Sequence, residues 1–91
     1  GINAQNNSVV TNNVMDVQTT STQAAIGCPN GAAGVNGAIV TGNVIRSAGL
    51  AYAIRAAGGS QNNWIVGNYT QQAISNGGGV SNTVAGNYTI N

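Results

Sequence analysis

Acid–base or nucleophilic chemistry has few groups to draw on in this chain. Asp16 is the only carboxylate side chain, Arg46 and Arg55 the only cations and Cys28 the only thiol, and His, Lys and Glu do not occur among the 91 residues. Glycoside hydrolysis ordinarily places two carboxylates around the scissile bond, so one copy of the chain holds half of such a pair. Polysaccharide β-elimination asks less: a base such as Tyr or Arg, and a cation beside the uronate. Tyr52 and Arg55 come nearest to that, but three residues apart on one short strand they point to opposite faces under strict alternation. A serine nucleophile would lack a His or Lys base. One Cys, one Asp and no His cannot complete a four-ligand metal site, so no metal is expected. The glycine runs in GGGVSN and GAAGVNG have no Lys after them and no helix to open, so they read as turns and not as phosphate loops, and no cofactor is expected. No catalytic residue is assigned.

The same scarcity of charge excludes further classes. Two arginines and a net charge of +1 cannot supply the counterion release on which nucleic-acid binding depends. No apolar run approaches the ~18 residues that span a bilayer, and no charged segment with an apolar stretch marks a signal peptide, so neither membrane insertion nor a leader is expected. A lone cysteine precludes an intrachain disulfide; Cys28 is either a small buried residue or a turn residue beside Pro29. The length fits one domain. With 42% hydrophobic residues and almost no charge, ordinary charge-driven disorder does not fit.

What holds these few groups in place is legible from the remainder of the composition: 15 Asn, 14 Gly, 13 Ala, 10 Val and 8 Ile. Turn formers mixed with β-branched residues indicate an all-β chain with many turns. Four segments align on Asn: SVVTNNVMDV on Asn13, AIVTGNVIRS on Asn43, NWIVGNYTQQ on Asn68 and NTVAGNYTIN on Asn87. Val10, Val40, Ile65 and Val84 stand three before the Asn, and Asn12, Gly42, Gly67 and Gly86 immediately before it. A shorter column recurs between them as Ala25-Ile26, Ala53-Ile54 and Ala73-Ile74. The Asn spacings of 30, 25 and 19 suit one turn of a coiled sheet with unequal loops. Helical repeats would need longer units rich in helix formers.

These rungs, each followed by a second strand such as AYAIRAAGGSQNN, resemble the right-handed parallel β-helix repeat of the pectate-lyase-like superfamily. The uncharged, Asn/Gly/Thr/Ala-rich style is most similar to the β-helices of bacteriophage tailspikes and depolymerases, and the resemblance covers about Ser8 to Asn91. It implies a right-handed parallel β-helix of about three to four rungs, in a homotrimer or as part of a larger parent polypeptide. The implied function is a structural and receptor-binding segment of the virion tail that engages bacterial surface polysaccharide. The alternatives are part of a secreted or phage polysaccharide lyase or glycoside hydrolase with its catalytic residues elsewhere, or a passive extracellular adhesin-like solenoid.

Alternation along the strands assigns the columns. Val10, Val40, Ile65 and Val84 face inward, followed beyond the Asn by Met15, Ile45, Thr70 and Thr89, with Ile26, Ile54 and Ile74 completing an aliphatic core. Asn13, Asn43, Asn68 and Asn87 form an amide ladder at a turn, preceded by a residue with left-handed backbone. Outward lie Val9, Ile39, Trp64 and Thr83 in one column and Val14, Val44, Tyr69 and Tyr88 in another. An apolar outward stripe marks an interface; subunit contact and glycan stacking on Trp64, Tyr69 or Tyr88 are the two readings. Asp16 and Arg46 fall on adjacent rungs as an ion pair, leaving Arg55 for a sugar or a neighbouring subunit. The sequons at Asn6, Asn68 and Asn87 read as accidents of composition, two of them being ladder positions. Residues 1–7 form a lead-in, residues 8–91 the repeats, with surface loops at 18–24 and 27–37. Since no capping segment closes the terminal rungs, the chain is expected to be a fragment or one protomer of a tight oligomer.

Overall fold

A computed structural model describes residues 1–17, 21–28, 36–77 and 79–90. Each short apolar segment bounded by Asn or Gly forms a strand, and the strands recur in threes. The first circuit comprises β1 (Ile2–Asn3), β2 (Val9–Thr11) and β3 (Val14–Asp16); the second β4 (Ser21–Cys28), β5 (Ile39–Thr41) and β6 (Val44–Arg46). The third holds β7 (Leu50–Ala56), β8 (Trp64–Val66) and β9 (Tyr69–Thr70), and the fourth β10 (Ile74–Asn76), β11 (Thr83–Ala85) and β12 (Tyr88–Thr89). No α-helix occurs among the described residues; a 3₁₀ turn at Gly79–Ser81 links β10 to β11.

Equivalent strands of successive circuits pair in parallel, producing three four-stranded sheets: A (β1-β4-β7-β10), B (β2-β5-β8-β11) and C (β3-β6-β9-β12). The all-β chain thus passes through A, B and C in the same order four times, an arrangement consistent with a β-solenoid. Register stacks like on like. Ile2, Ile26, Ile54 and Ile74 align in sheet A, and Val10, Val40, Ile65 and Val84 in sheet B. Met15, Ile45, Thr70 and Thr89 align in sheet C. Ile26, Val40, Ile45, Ile54 and Ile65 are completely buried in one narrow core.

Burial fades toward the two outer circuits, where Ile2, Met15, Ile74 and Val84 are only partly covered. Thr89, expected to face inward, is exposed, because among the described residues β12 has a neighbour on one side only. Two boundaries also shift. Strand β4 takes up residues 21–24 and 27–28 of the expected loops, since pairing with β7 extends from Ser21 to Cys28; residues 18–20 and 29–35 of those loops lie outside the described residues. The lead-in contains β1, whose Ile2 and Asn3 pair with Ile26 and Gly27.

The corner between sheets B and C has one construction in all four circuits. Asn12, Gly42, Gly67 and Gly86 adopt φ of 57°, 68°, 73° and 63°, a left-handed backbone that Gly and Asn enter at least cost. The Asn that follows points its amide along the stack. Asn13 Nδ2 donates to Asn43 Oδ1 (2.9 Å), Asn43 Nδ2 to Asn68 Oδ1 (2.9 Å) and Asn68 Nδ2 to Asn87 Oδ1 (3.0 Å). Each of those oxygens also accepts the backbone N–H of the preceding ladder residue. The other amide hydrogen turns back to a carbonyl of the circuit before: Asn43 to Val10, Asn68 to Val40 and Asn87 to Ile65. A buried polar group is tolerable when bonded in this way, and Asn43 and Asn68 are fully buried.

The corner between sheets A and B repeats the device in part. Asn7, Gly37 and Asn62 have positive φ, and Asn63 Nδ2 and N–H both donate to Asn82 Oδ1 at 3.0 Å. Asn63 Oδ1 in turn accepts the N–H of Ala38 at 2.9 Å. This second ladder joins the third and fourth circuits, and Asn82 extends it sideways to Ser60 Oγ and Asn76 Oδ1.

Candidate functional site

Every polar or aromatic side chain singled out for binding stands on the outside of a sheet, but not on the same sheet. Arg55 lies on A, Trp64 on B, and Tyr69 and Tyr88 on C. Trp64 is half-exposed, aligned with Ile39 on one side and Thr83 on the other. Tyr69 and Tyr88 follow Val14 and Val44 on sheet C. Val14 is 83% exposed and Val9 61%, so both outward columns present apolar surface to solvent. The corner at Gly67 and Asn68 sets Trp64 and Tyr69 on adjoining faces of the same circuit.

Parallel in-register pairing decides what the tyrosines can do. The rings of Tyr69 and Tyr88 stack on each other, centroids 6.0 Å apart and planes inclined by 29°. A sugar between two aromatic faces needs ~7–8 Å, two van der Waals contacts of 3.5–4.0 Å. The two rings therefore leave no room for one between them, and the contact strengthens the stack of circuits instead. Trp64, bordered by Ile39 and Thr83, has no aromatic neighbour in its column.

Arg55 and Tyr52 depart from the expected arrangement. The guanidinium carbon lies over the Tyr52 ring, 6.0 Å from its centroid, so the two side chains share a face. The reason is an irregular strand: Ala53 and Ile54 are buried in succession, which breaks strict alternation between positions 52 and 55. The contact occupies a cation that has no carboxylate aligned with it, Gly27 and Ser75 being its register partners.

Asp16 and Arg46 are register partners on β3 and β6, on the same outer face as Tyr69. Arg46 also lines an open groove of about 560 Å³ with Val44, Tyr69, Thr89 and Ile90, a setting the sequence pattern did not indicate. Asn63 and Asn82 went unnoticed in the sequence too, although each stands five residues before a ladder Asn, where Ala38 and Ser8 stand in the other circuits. Cys28 is buried, and desolvation raises its thiol pKa above the ordinary value. Among the described residues no group of three His, Cys, Asp or Glu is placed to hold a metal ion. No helix among them is long and apolar enough to cross a membrane.

No family model, no curated protein and no solved structure matches this chain.

Proposed function

We propose that the chain is a right-handed parallel β-helix segment of a phage tailspike-like protein, structural in its core and binding bacterial surface polysaccharide on its outside. Three parallel sheets visited in one cyclic order support the fold, and parallel crossovers within a sheet are right-handed in ~98% of cases. The observation that carries the binding reading is Trp64. It is a half-exposed indole on a flat, uncharged sheet face, the kind of surface on which the apolar face of a sugar ring stacks. The sheet C column, with Tyr69 and Tyr88 stacked on each other, is then the side on which subunits of a homotrimer meet. Recognition of glycan is the role of this segment, any hydrolytic residues lying elsewhere in the parent protein or being absent.

Trp64 is the only tryptophan in the chain, so its emission reports directly on its own surroundings. Titration with capsular and O-antigen polysaccharides should shift that emission saturably, and Trp64→Ala should abolish binding measured by calorimetry while leaving the melting temperature unchanged. Undiminished binding by Trp64→Ala would remove the basis of the reading. New reducing ends or unsaturated uronates in the same incubations would instead favour the enzymatic alternative.

A further inference from the structure

We propose that the outer face of sheet A carries a second subsite, in which Arg55 binds the carboxylate of an acidic sugar. This rests on the reading that the outside of the stack binds glycan, and it adds a charged unit to the ligand that Trp64 meets on sheet B. The residues concerned stand mainly on β4 and β7, the two interior strands of sheet A, each paired on both sides.

Arg55 is exposed, and its guanidinium carbon lies 6.0 Å from the centroid of the Tyr52 ring. A guanidinium over an aromatic face keeps its N–H donors around its edge, where they match the two oxygens of a carboxylate. The ring also restricts the side chain before any ligand arrives, which lowers the ordering cost of binding. Among the described residues Arg55 makes no ion pair and no hydrogen bond. Asp16, the single carboxylate side chain of the chain, stands on sheet C in register with Arg46. The charge of Arg55 is therefore left for a ligand.

Beside this pair the sheet forms a trough. The register partners of Tyr52 and Arg55 on β4 are Ala24 and Gly27, and Asn3 of β1 is in register with Gly27. Ala24 and Gly27 make the floor, Tyr52 and Arg55 one wall and Asn3 the other. A Cβ built on Gly27 would meet only Asn3 Oδ1 within 4 Å, at 3.4 Å, so the Arg55 side chain does not close over the floor. The walls belong to strands two spacings apart, ~9.6 Å. That exceeds the ~7–8 Å a sugar needs between two surfaces, whereas Tyr69 and Tyr88, one spacing apart, leave too little. A carboxylate on Arg55 then sets its sugar ring over Gly27, with hydroxyls toward the Asn3 amide. One guanidinium balances one carboxylate, while a phosphate monoester carries about −1.5 to −2, so the chemistry selected is that of a uronate-like sugar acid.

With only two arginines in the chain, their Nε–H signals in proton–nitrogen correlation spectra are assigned by Arg55→Lys, which removes one of them. Titration with sodium glucuronate or galacturonate should shift the Arg55 signal saturably. The uncharged methyl esters of the same sugars should bind ~10–100-fold more weakly, the margin of a hydrogen bond to a charged group. Added salt should weaken uronate binding. Gly27→Val fills the floor and leaves Arg55 and Tyr52 in place; its Cβ makes an ordinary contact and valine suits a strand. That variant should keep its melting temperature and lose at least ~10-fold in uronate affinity, a response that a merely exposed cation would not show. Acetate and N-acetylaspartyl amide supply the same group without the sugar. A response to either as strong as that to the uronates would mean an adventitious ion only, or a protein carboxylate as the ligand, and would overturn the proposal. So would undiminished binding by Gly27→Val or by the methyl esters. Trp64 emission, recorded with neutral and acidic polysaccharides, separates the two readings. A shift there with no movement of the Arg55 signal in uronate refutes the acidic subsite alone, and silence at both removes both.

Discussion

Replacing Asn68 by Ala removes a fully buried side chain from the interior of the ladder. Four side-chain hydrogen bonds disappear: those received from Asn43 N–H and Nδ2, and those donated to Val40 O and Asn87 Oδ1. At ~1 kcal/mol net for each bond the loss is ~4 kcal/mol, and the buried Asn43 N–H left without an acceptor adds ~1–3 kcal/mol. At 0.05–0.15 kcal/mol per residue, a chain of this length has a total stability of only ~5–14 kcal/mol. The ladder itself supplies the control. Asn13 sits at the end and only donates from its side chain, to Thr11 O and Asn43 Oδ1; Asn43 Oδ1 keeps the Asn13 backbone N–H after Asn13→Ala, so that variant should lose ~2 kcal/mol. With a urea dependence of about 1.5 kcal/mol/M, the unfolding midpoint should fall by ~3–5 M for Asn68→Ala and by only ~1 M for Asn13→Ala, at matched protein concentration. Equal losses for the two variants, or a loss below ~1.5 kcal/mol at Asn68, would show that the amides do not carry the stacking.

Other expectations follow from the same geometry. Gly67→Ala should cost ~1–2 kcal/mol, because φ there is +73°, whereas Gly67→Asn should cost less than half of that, Asn12 holding the equivalent corner at 57°; urea titration of the pair checks this. Ile54→Ala opens a cavity in the fully buried sheet A column and should cost ~2–5 kcal/mol by the same measurement. Cys28 should react with a thiol reagent only as fast as the chain opens, and its raised pKa means that the folded state holds its proton longer than the unfolded one. Stability should therefore be flat at neutral pH and decline above the unfolded thiol value of ~8.5, a slope that Cys28→Ala removes. Glycosylation in a eukaryotic host should mark Asn6, which is exposed, far more than Asn68, which is fully buried; peptide mass mapping reads the difference.

The periodic positions were legible because stacking imposes the same requirement in every circuit. A left-handed corner admits Gly or Asn, the next position must carry an amide that both donates and accepts, and the flanking inward positions must be aliphatic. Those constraints write columns that can be aligned by eye, and the Val10, Val40, Ile65 and Val84 register of sheet B follows them residue for residue. Asn63 and Asn82 escaped because their column is mixed: Ser8 and Ala38 hold it in the first two circuits, so composition there does not repeat.

The sequence by itself determined an all-β chain of stacked short strands, the inward and outward columns, and a single carboxylate side chain, which leaves no carboxylate pair within one copy. Only the tertiary structure decided which outward groups share a face, because that depends on where alternation fails and on how far the sheets turn at each corner. The successive burial of Ala53 and Ile54 in β7 brings Arg55 over Tyr52. Exact register closes Tyr69 onto Tyr88 and leaves Trp64 as the open aromatic. The three charges are all outward, and no core position of the stack has to bury one. The polarity of the Asn ladder, likewise, is invisible in a pattern of repeats: which amide donates and which accepts is fixed only once the amides are oriented in space.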